Sequence, residues 1–252
     1  LKLLGKGLYS NPWTAIAELV ANGLDAKASC VRILIDMSNK KESTIEIFDN
    51  GTGMTYSDLA QKYVLIGKNK REDVDLDEFS KNNVMGRKGI GKLAALYLSS
   101  SYYLISKSSN NETAWFFDMH NEEELETPSL NRVSLSEVNI LSKDYWNPLL
   151  SGTMIKLENV DLTNIGIQSI EGLKARLSDY YILDSLNGKI EIAVRYQADD
   201  PIFFQQVTKN IAFKNFYAIF DNTSSDIKSR IAKKVYFPSA YDIVHNKPRP
   251  TV

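Results

Sequence analysis

The chain has 252 residues, 43% of them hydrophobic and 24% charged, with a formal net charge of −1. This is the composition of a globular protein of one large domain, or one domain plus part of a second. The near-zero charge excludes a global field that would draw in nucleic acid or an anionic membrane, and no apolar run reaches the ~18–20 residues needed to cross a bilayer. The single cysteine, Cys30, excludes an internal disulfide and fits a reducing, cytoplasmic setting. The opening Leu1-Lys2-Leu3-Leu4-Gly5 has neither an initiator methionine nor a signal-peptide pattern, so the sequence reads as a piece of a longer protein.

In chain order, a helix is predicted over residues 12–27. Asn11 can cap it, Pro12 suits its first turn, and Ile16, Leu19, Val20, Gly23 and Leu24 form an apolar face. Two β-rich runs follow, Cys30 to Asp36 and Thr44 to Phe48, joined as a hairpin by the polar stretch Ser38 to Ser43. Cys30 opens the first run and reads as a buried structural thiol rather than a nucleophile. Asp49-Asn50-Gly51 turns the chain into a second helix, Tyr56 to Leu65. Residues 67–85 are polar, charged and without periodicity, a length at which loops are usually functional.

A glycine-rich turn, Gly86 to Gly91, leads into an apolar helix, Lys92 to Leu98. Strands are predicted at Tyr102–Ser106, Thr113–Asp118 and Thr153–Leu157, then a helix at Ile170–Leu183 and a strand at Lys189–Tyr196. The aromatics Phe203, Phe204, Phe213, Phe216, Tyr217 and Phe220 lack interleaved basic residues and read as core rather than as a base-stacking platform.

Three segments carry candidate chemistry. Glu18, Asn22 and Asp25 fall along one stripe of the first helix, beside its apolar face. A solvated polar face is the bland reading, but asparagine is a poor helix former and gains nothing there from charge pairing. Its amide oxygen suits Mg²⁺, and a carboxylate one turn away can deprotonate a water. The second segment is Asp49-Asn50-Gly51-Thr52-Gly53. It reads as a turn, yet it also sets a carboxylate at the end of an apolar strand, where it can accept from an exocyclic amine such as adenine presents. The two glycines would let a flat ring approach the backbone.

The third segment is Gly86-Arg87-Lys88-Gly89-Ile90-Gly91-Lys92-Leu93-Ala94. It nearly fits the P-loop pattern, except that Leu93 stands where a hydroxyl residue holds Mg²⁺, and its tail fits the dinucleotide fingerprint. Both need a hydrophobic strand running into the glycines, and Glu78 to Met85 is no such strand. A glycine-rich loop opening a helix still offers free N–H groups and a positive dipole end to phosphate.

In this order and spacing the segments resemble the GHKL ATPases, the family of gyrase B, the heat-shock chaperone of ninety kilodaltons, sensor histidine kinases and MutL. Glu18-Leu19-Val20-Ala21-Asn22-Gly23-Leu24-Asp25-Ala26 is similar to the family's asparagine box, and Asp49-x-Gly51-x-Gly53 to its adenine motif. Gly86-x-x-Gly89-x-Gly91 resembles its lid-hinge motif, and Ser151-Gly152-Thr153 its final Gly-Thr motif.

The resemblance implies a role for each matching residue. Glu18 is the general base for hydrolysis, Asn22 the Mg²⁺ ligand and Asp25 an acid that supports the pocket. Asp49 is the adenine contact, with Gly51, Gly53 and Met54 among the nucleotide-binding residues, and Thr153 offers a hydroxyl to the same network. The backbone of Gly86, Arg87, Lys88, Gly89, Ile90, Gly91 and Lys92 is the phosphate cradle, residues 67–91 are the mobile lid, and Lys70 is a phosphate-facing lysine for which Lys68 competes.

The implied fold is an α/β two-layer sandwich of the Bergerat type: a mixed, mostly antiparallel sheet, helices on one face, and ATP between helices and lid. Residues 1–165 form the ATP-binding domain; residues 166–252 complete it or begin a transducer domain. The wording around Gly86 is closest to the chaperone- and MORC-like branch, in which ATP closes a lid and draws two copies into a homodimer. The client, protein or nucleic acid, is not named by the sequence. A non-hydrolysing nucleotide-gated module and a histidine kinase are the alternatives, and the presence of Glu18 argues against both. His120 and His245 sit in no phosphoacceptor segment and read as surface residues.

Overall fold

The computed structural model describes residues 9, 11–59, 93–108, 111–118, 129–163, 169–181, 186 and 188–208. The chain divides into two compact units, Leu1–Thr208 and Lys209–Val252, and the described residues all belong to the first.

Helix α1, Pro12–Asp25, starts where the sequence places it: the side chain of Asn11 accepts the Thr14 N–H at 3.0 Å, and Pro12 occupies the first turn. It ends at Asp25 rather than at residue 27, because Lys27 adopts a left-handed conformation (φ 61°) that breaks the helix. Strands β1, Cys30–Asp36, and β2, Ser43–Asp49, form the expected hairpin. Tyr56–Asp58 make one turn, α2, closed by a capping box between Thr55 and Asp58; residues 60–65 of the predicted Tyr56–Leu65 helix lie outside the described residues.

Helix α3, Leu93–Leu98, precedes β3, Ser101–Ser108, β4, Asn111–Asp118, and β5, Ser129–Val133. A 3₁₀ turn at Leu135–Glu137 and a one-turn helix α4, Lys143–Trp146, lead to β6, Gly152–Val160. Helix α5, Ile170–Ser178, is followed by β7, Lys189–Arg195, and β8, Gln205–Gln206. Helix α5 stops short of the predicted Leu183.

The strands make one sheet in the order β5-β4-β3-β6-β2-β1-β7-β8. Its pairings are antiparallel except β1 with β7, which run parallel with Cys30 opposite Lys189. The mixed, mostly antiparallel sheet of the expected fold is therefore present. Period-two alternation sends Ile33, Ile45, Ile47, Leu104, Ile155, Leu157 and Ile192 to one face, where they pack with Ile16, Val20, Ala94, Ala95 and Leu173 from α1, α3 and α5.

The opposite face carries Phe48, Ile105, Ala114 and Met154, covered by Val138, Ile140 and Trp146. What pins that cover down is Glu46, fully buried on β2: its carboxylate accepts the backbone N–H groups of Leu141 (2.7 Å) and Ser142 (2.9 Å) and the Ser142 hydroxyl (2.6 Å). Lys107 closes the C-terminal end of α4 by donating to the carbonyls of Trp146 and Asn147 at 3.0 and 3.1 Å. The long helices thus lie on one face, and a short irregular segment seals the other.

Two expectations change. Cys30 is half-buried rather than core, and burial with the neighbouring Glu191 carboxylate pushes its thiol up to about 11, far from a nucleophile's range. Among the late aromatics, Phe204 packs edge-on against Phe48 and Tyr145, whereas Phe203 is 67% exposed. Phe213, Phe216, Tyr217, Phe220, His120 and His245 lie outside the described residues.

Candidate functional site

Asp49 ends β2 on the helix-covered face and is 6% exposed. Its carboxylate accepts the Gly51 N–H at 2.8 Å and the backbone N–H of Thr153 from β6. Burial nonetheless pushes its carboxyl from an ordinary 3.8 up to about 6, because two amides offset only part of the lost hydration. The carboxylate lies against α1 at Gly23, where a Cβ would come 3.0 Å from that of Asp49. Any larger residue at position 23 would push the helix off the strand, so that glycine sets how closely α1 approaches the acid.

The loop after Asp49 is held from three sides. Thr52 donates its N–H to the Ala26 carbonyl at 3.1 Å, joining the loop to the end of α1. Asn50 clamps the start of β1: its side-chain oxygen accepts the Cys30 N–H at 2.9 Å, and its amide nitrogen donates to the Ser29 hydroxyl at 2.8 Å. Ser106 of β3, 1% exposed, accepts the Met54 N–H at 2.7 Å and donates to the Met54 carbonyl at 3.1 Å.

The glycines here serve the protein's own packing rather than only the approach of a ring. Gly53 has φ +66°, and a Cβ on it would lie 1.9 Å from the Lys107 carbonyl oxygen. Gly152 has φ +147°, and its Cβ would lie 2.0 Å from the Asp49 carbonyl oxygen. Both positions require glycine so that the loop and β6 can close around Asp49.

Of the residues singled out in the sequence, Asp49, Gly51, Gly53, Met54 and Thr153 are gathered at the ends of β2, β3 and β6. Glu18, Asn22 and Asp25 are half-buried on α1, whose Gly23 touches Asp49. Burial, and to a lesser extent the Glu18 carboxylate nearby, pushes the Tyr9 phenol up to about 12 and raises that of Tyr181 as well. Lys68, Lys70, Gly86, Arg87, Lys88, Gly89, Ile90, Gly91 and Lys92 lie outside the described residues.

Sequence reasoning missed Asn50 and Ser106. In the sequence Asn50 reads only as a turn residue. Ser106 had a readable signal, being a hydroxyl at the inward position that Leu104 and Tyr102 occupy two and four residues earlier. Among the described residues no group of three or more His, Cys, Asp or Glu side chains could cage a metal, and no helix is long and apolar enough to cross a membrane. The donor set suits Mg²⁺ all the same, since that ion takes one or two protein oxygens and completes its shell with phosphates and waters. Asn22 would supply one such oxygen.

Comparison with known proteins bears on the family of the chain. The chain is 46% identical over 94 residues to the candidate type II restriction enzyme HgiDII of Herpetosiphon aurantiacus, 37% of this chain and 14% of that protein. It is 26% identical over 154 residues to the chaperone protein HtpG of a Sulfurovum species, 52% of this chain and 24% of HtpG. It is 30% identical over 104 residues to the DNA mismatch repair protein MutL of Ehrlichia chaffeensis, 41% of this chain and 15% of MutL. The chain thus spans less than a quarter of the length of each of these relatives. Residues 9–147 match the family described as histidine kinase-, DNA gyrase B-, and HSP90-like ATPase, and the chain belongs to that family.

Proposed function

We propose that this protein binds Mg²⁺–ATP at Asp49 and hydrolyses it slowly with Glu18 as general base. The observation that carries this reading is the contact between Gly23 and Asp49, which sets an acceptor for an adenine amine beside the helix that bears Glu18 and Asn22. The buried carboxylate of Asp49 would accept from the exocyclic amine, and the Gly51 and Thr153 amides hold it in place to do so. The nucleotide's phosphates then run along α1 toward the glycine-rich segment 86–92. Mg²⁺, when bound, neutralises phosphate charge, and Asn22 would hold it. Glu18 takes the proton of the attacking water at its carboxylate oxygen.

In this reading the segment 67–91 closes over the γ-phosphate, with Lys70 or Lys68 facing it, and closure promotes a homodimer. The named relatives are a chaperone, a mismatch-repair protein and a candidate restriction enzyme. A nucleotide-timed conformational cycle is what such different proteins can share, and this module would drive whatever is attached to it. The test is Glu18→Ala. Mg²⁺-dependent ATP binding should persist while phosphate release falls by ~10²–10⁴-fold, the usual worth of a general base. Turnover within a few-fold of the parent would remove Glu18 from that role.

A further inference from the structure

Two consecutive tyrosines after α5 reach back to α1. Tyr180 places its hydroxyl 3.1 Å from the Thr14 hydroxyl and donates to the Asn11 side-chain oxygen at 3.3 Å, the same oxygen that caps the helix. Tyr181 donates its hydroxyl to the main-chain carbonyl of Ala17. The Ala21 amide, which in an α-helix donates to the Ala17 carbonyl, also points its N–H at the Tyr181 oxygen. The phenol therefore sits on one rung of the helix ladder. A carbonyl oxygen has two lone pairs and can take both donors.

The sequence makes room for this. Ala17 and Ala21 are 6% and 7% exposed, and their methyl groups let the ring approach the main chain. At 100° per residue, positions 17 and 21 lie on one flank of α1, with Glu18 and Asn22 one residue further round. The carboxylates of Glu18 and Asp25 both bear on this phenol. A phenylalanine would bury the same ring. Only a hydroxyl can grip the main chain at the turn where Glu18 sits.

We propose that Tyr181, assisted by Tyr180, is a positioning residue: it fixes the turn of α1 from the flank adjoining Glu18 and Asn22 and so sets where those two side chains stand. The inference rests on the reading of Glu18 as general base. Reacting groups lose rate steeply when displaced by fractions of an ångström, whereas binding is less sensitive.

The test is Tyr181→Phe in the full chain, which keeps the ring. Without nucleotide, amide hydrogen exchange across residues 12–25 should accelerate at least about fivefold while exchange in β1, β2 and β6 stays as in the parent. With ATP, kcat should fall by about tenfold and the ATP Kd should stay within about twofold. Tyr180→Phe should move both readouts in the same direction by less. Unchanged exchange in residues 12–25 overturns the proposal, as does acceleration spread evenly through the sheet or an unchanged kcat. Glu18→Ala, run in parallel, separates the two ideas: persistent turnover there sinks the general-base reading, while the exchange pattern of Tyr181→Phe alone judges whether the tyrosine holds the helix.

Discussion

Thr153 donates its backbone N–H to the carboxylate of Asp49, so the acid that ends β2 is held from the neighbouring strand as well as by its own turn. With the acid held from both sides, its charge state is the quantity to test first.

Asp49→Asn keeps the size of the side chain but turns one acceptor into a donor. Facing an adenine amine and two protein amides, a carboxamide cannot satisfy all of them. ATP affinity is expected to fall by about 2–4 kcal/mol with the fold intact. Titration calorimetry with circular dichroism as the control measures both, and near-parent affinity would remove Asp49 from the base site.

The raised carboxyl gives a pH signature. Between 3.8 and about 6 the folded chain holds the Asp49 proton more tightly than the unfolded chain does. This group's contribution to stability therefore declines as pH rises through that window, by about 3 kcal/mol in all. Ligand binding runs the other way, because the amine needs the ionised acceptor. Adenosine, which has no titrating phosphate, should bind with constant affinity well above pH 6 and lose about tenfold per unit below it. A flat profile across that range would show that the ring is not read by the ionised carboxylate.

Ser106→Ala leaves the Met54 N–H and carbonyl without the hydroxyl that now serves both. The loop should loosen, and adenosine affinity should drop by about 1–2 kcal/mol, with little change in the unfolding midpoint. A variant that loses as much stability as affinity would show that Ser106 supports the sheet rather than the loop.

The γ-phosphate should matter to the segment between α2 and α3. Its charges, Lys68, Lys70, Arg71, Glu72, Asp73, Asp75, Asp77 and Glu78, leave few apolar anchors besides Val74, Leu76 and Phe79. Ordering it costs roughly 1–2 kcal/mol per fixed residue, so phosphate contacts need help from packing or from a second copy. A non-hydrolysable ATP analogue, but not ADP, is expected to slow hydrogen exchange in residues 67–91 and to raise the dimer fraction in sedimentation. Equal protection by ADP would show that the γ-phosphate is not the switch.

Local signals carried much of this fold. Asn11-Pro12 announced the start of α1, and the alternation from Cys30 to Phe48 announced the hairpin, because capping and period-two burial are short-range physics. The segment 129–149 was not legible. It has no period, and it is held by Glu46, whose partners Leu141 and Ser142 lie far along the chain. Helix α5 ends at Ser178 while the sequence stays apolar, since Tyr180 and Tyr181 turn away to reach α1. At the site, Asp49 and its glycines were legible as residue types. The bond from the Thr153 amide was not, because a backbone donor leaves no mark on the sequence.

The parallel pairing of β1 with β7 has a consequence for biosynthesis. Strand β1 is made early, yet one of its two flanks stays bare until Lys189–Arg195 has left the ribosome. Until then the nascent chain presents an apolar strand with unpaired N–H and carbonyl groups, a template for wrong partners. Such distant pairing also slows folding. Helix α1 cannot settle on a finished sheet before that late strand arrives, so a cell making this protein has reason to shield its first half during synthesis.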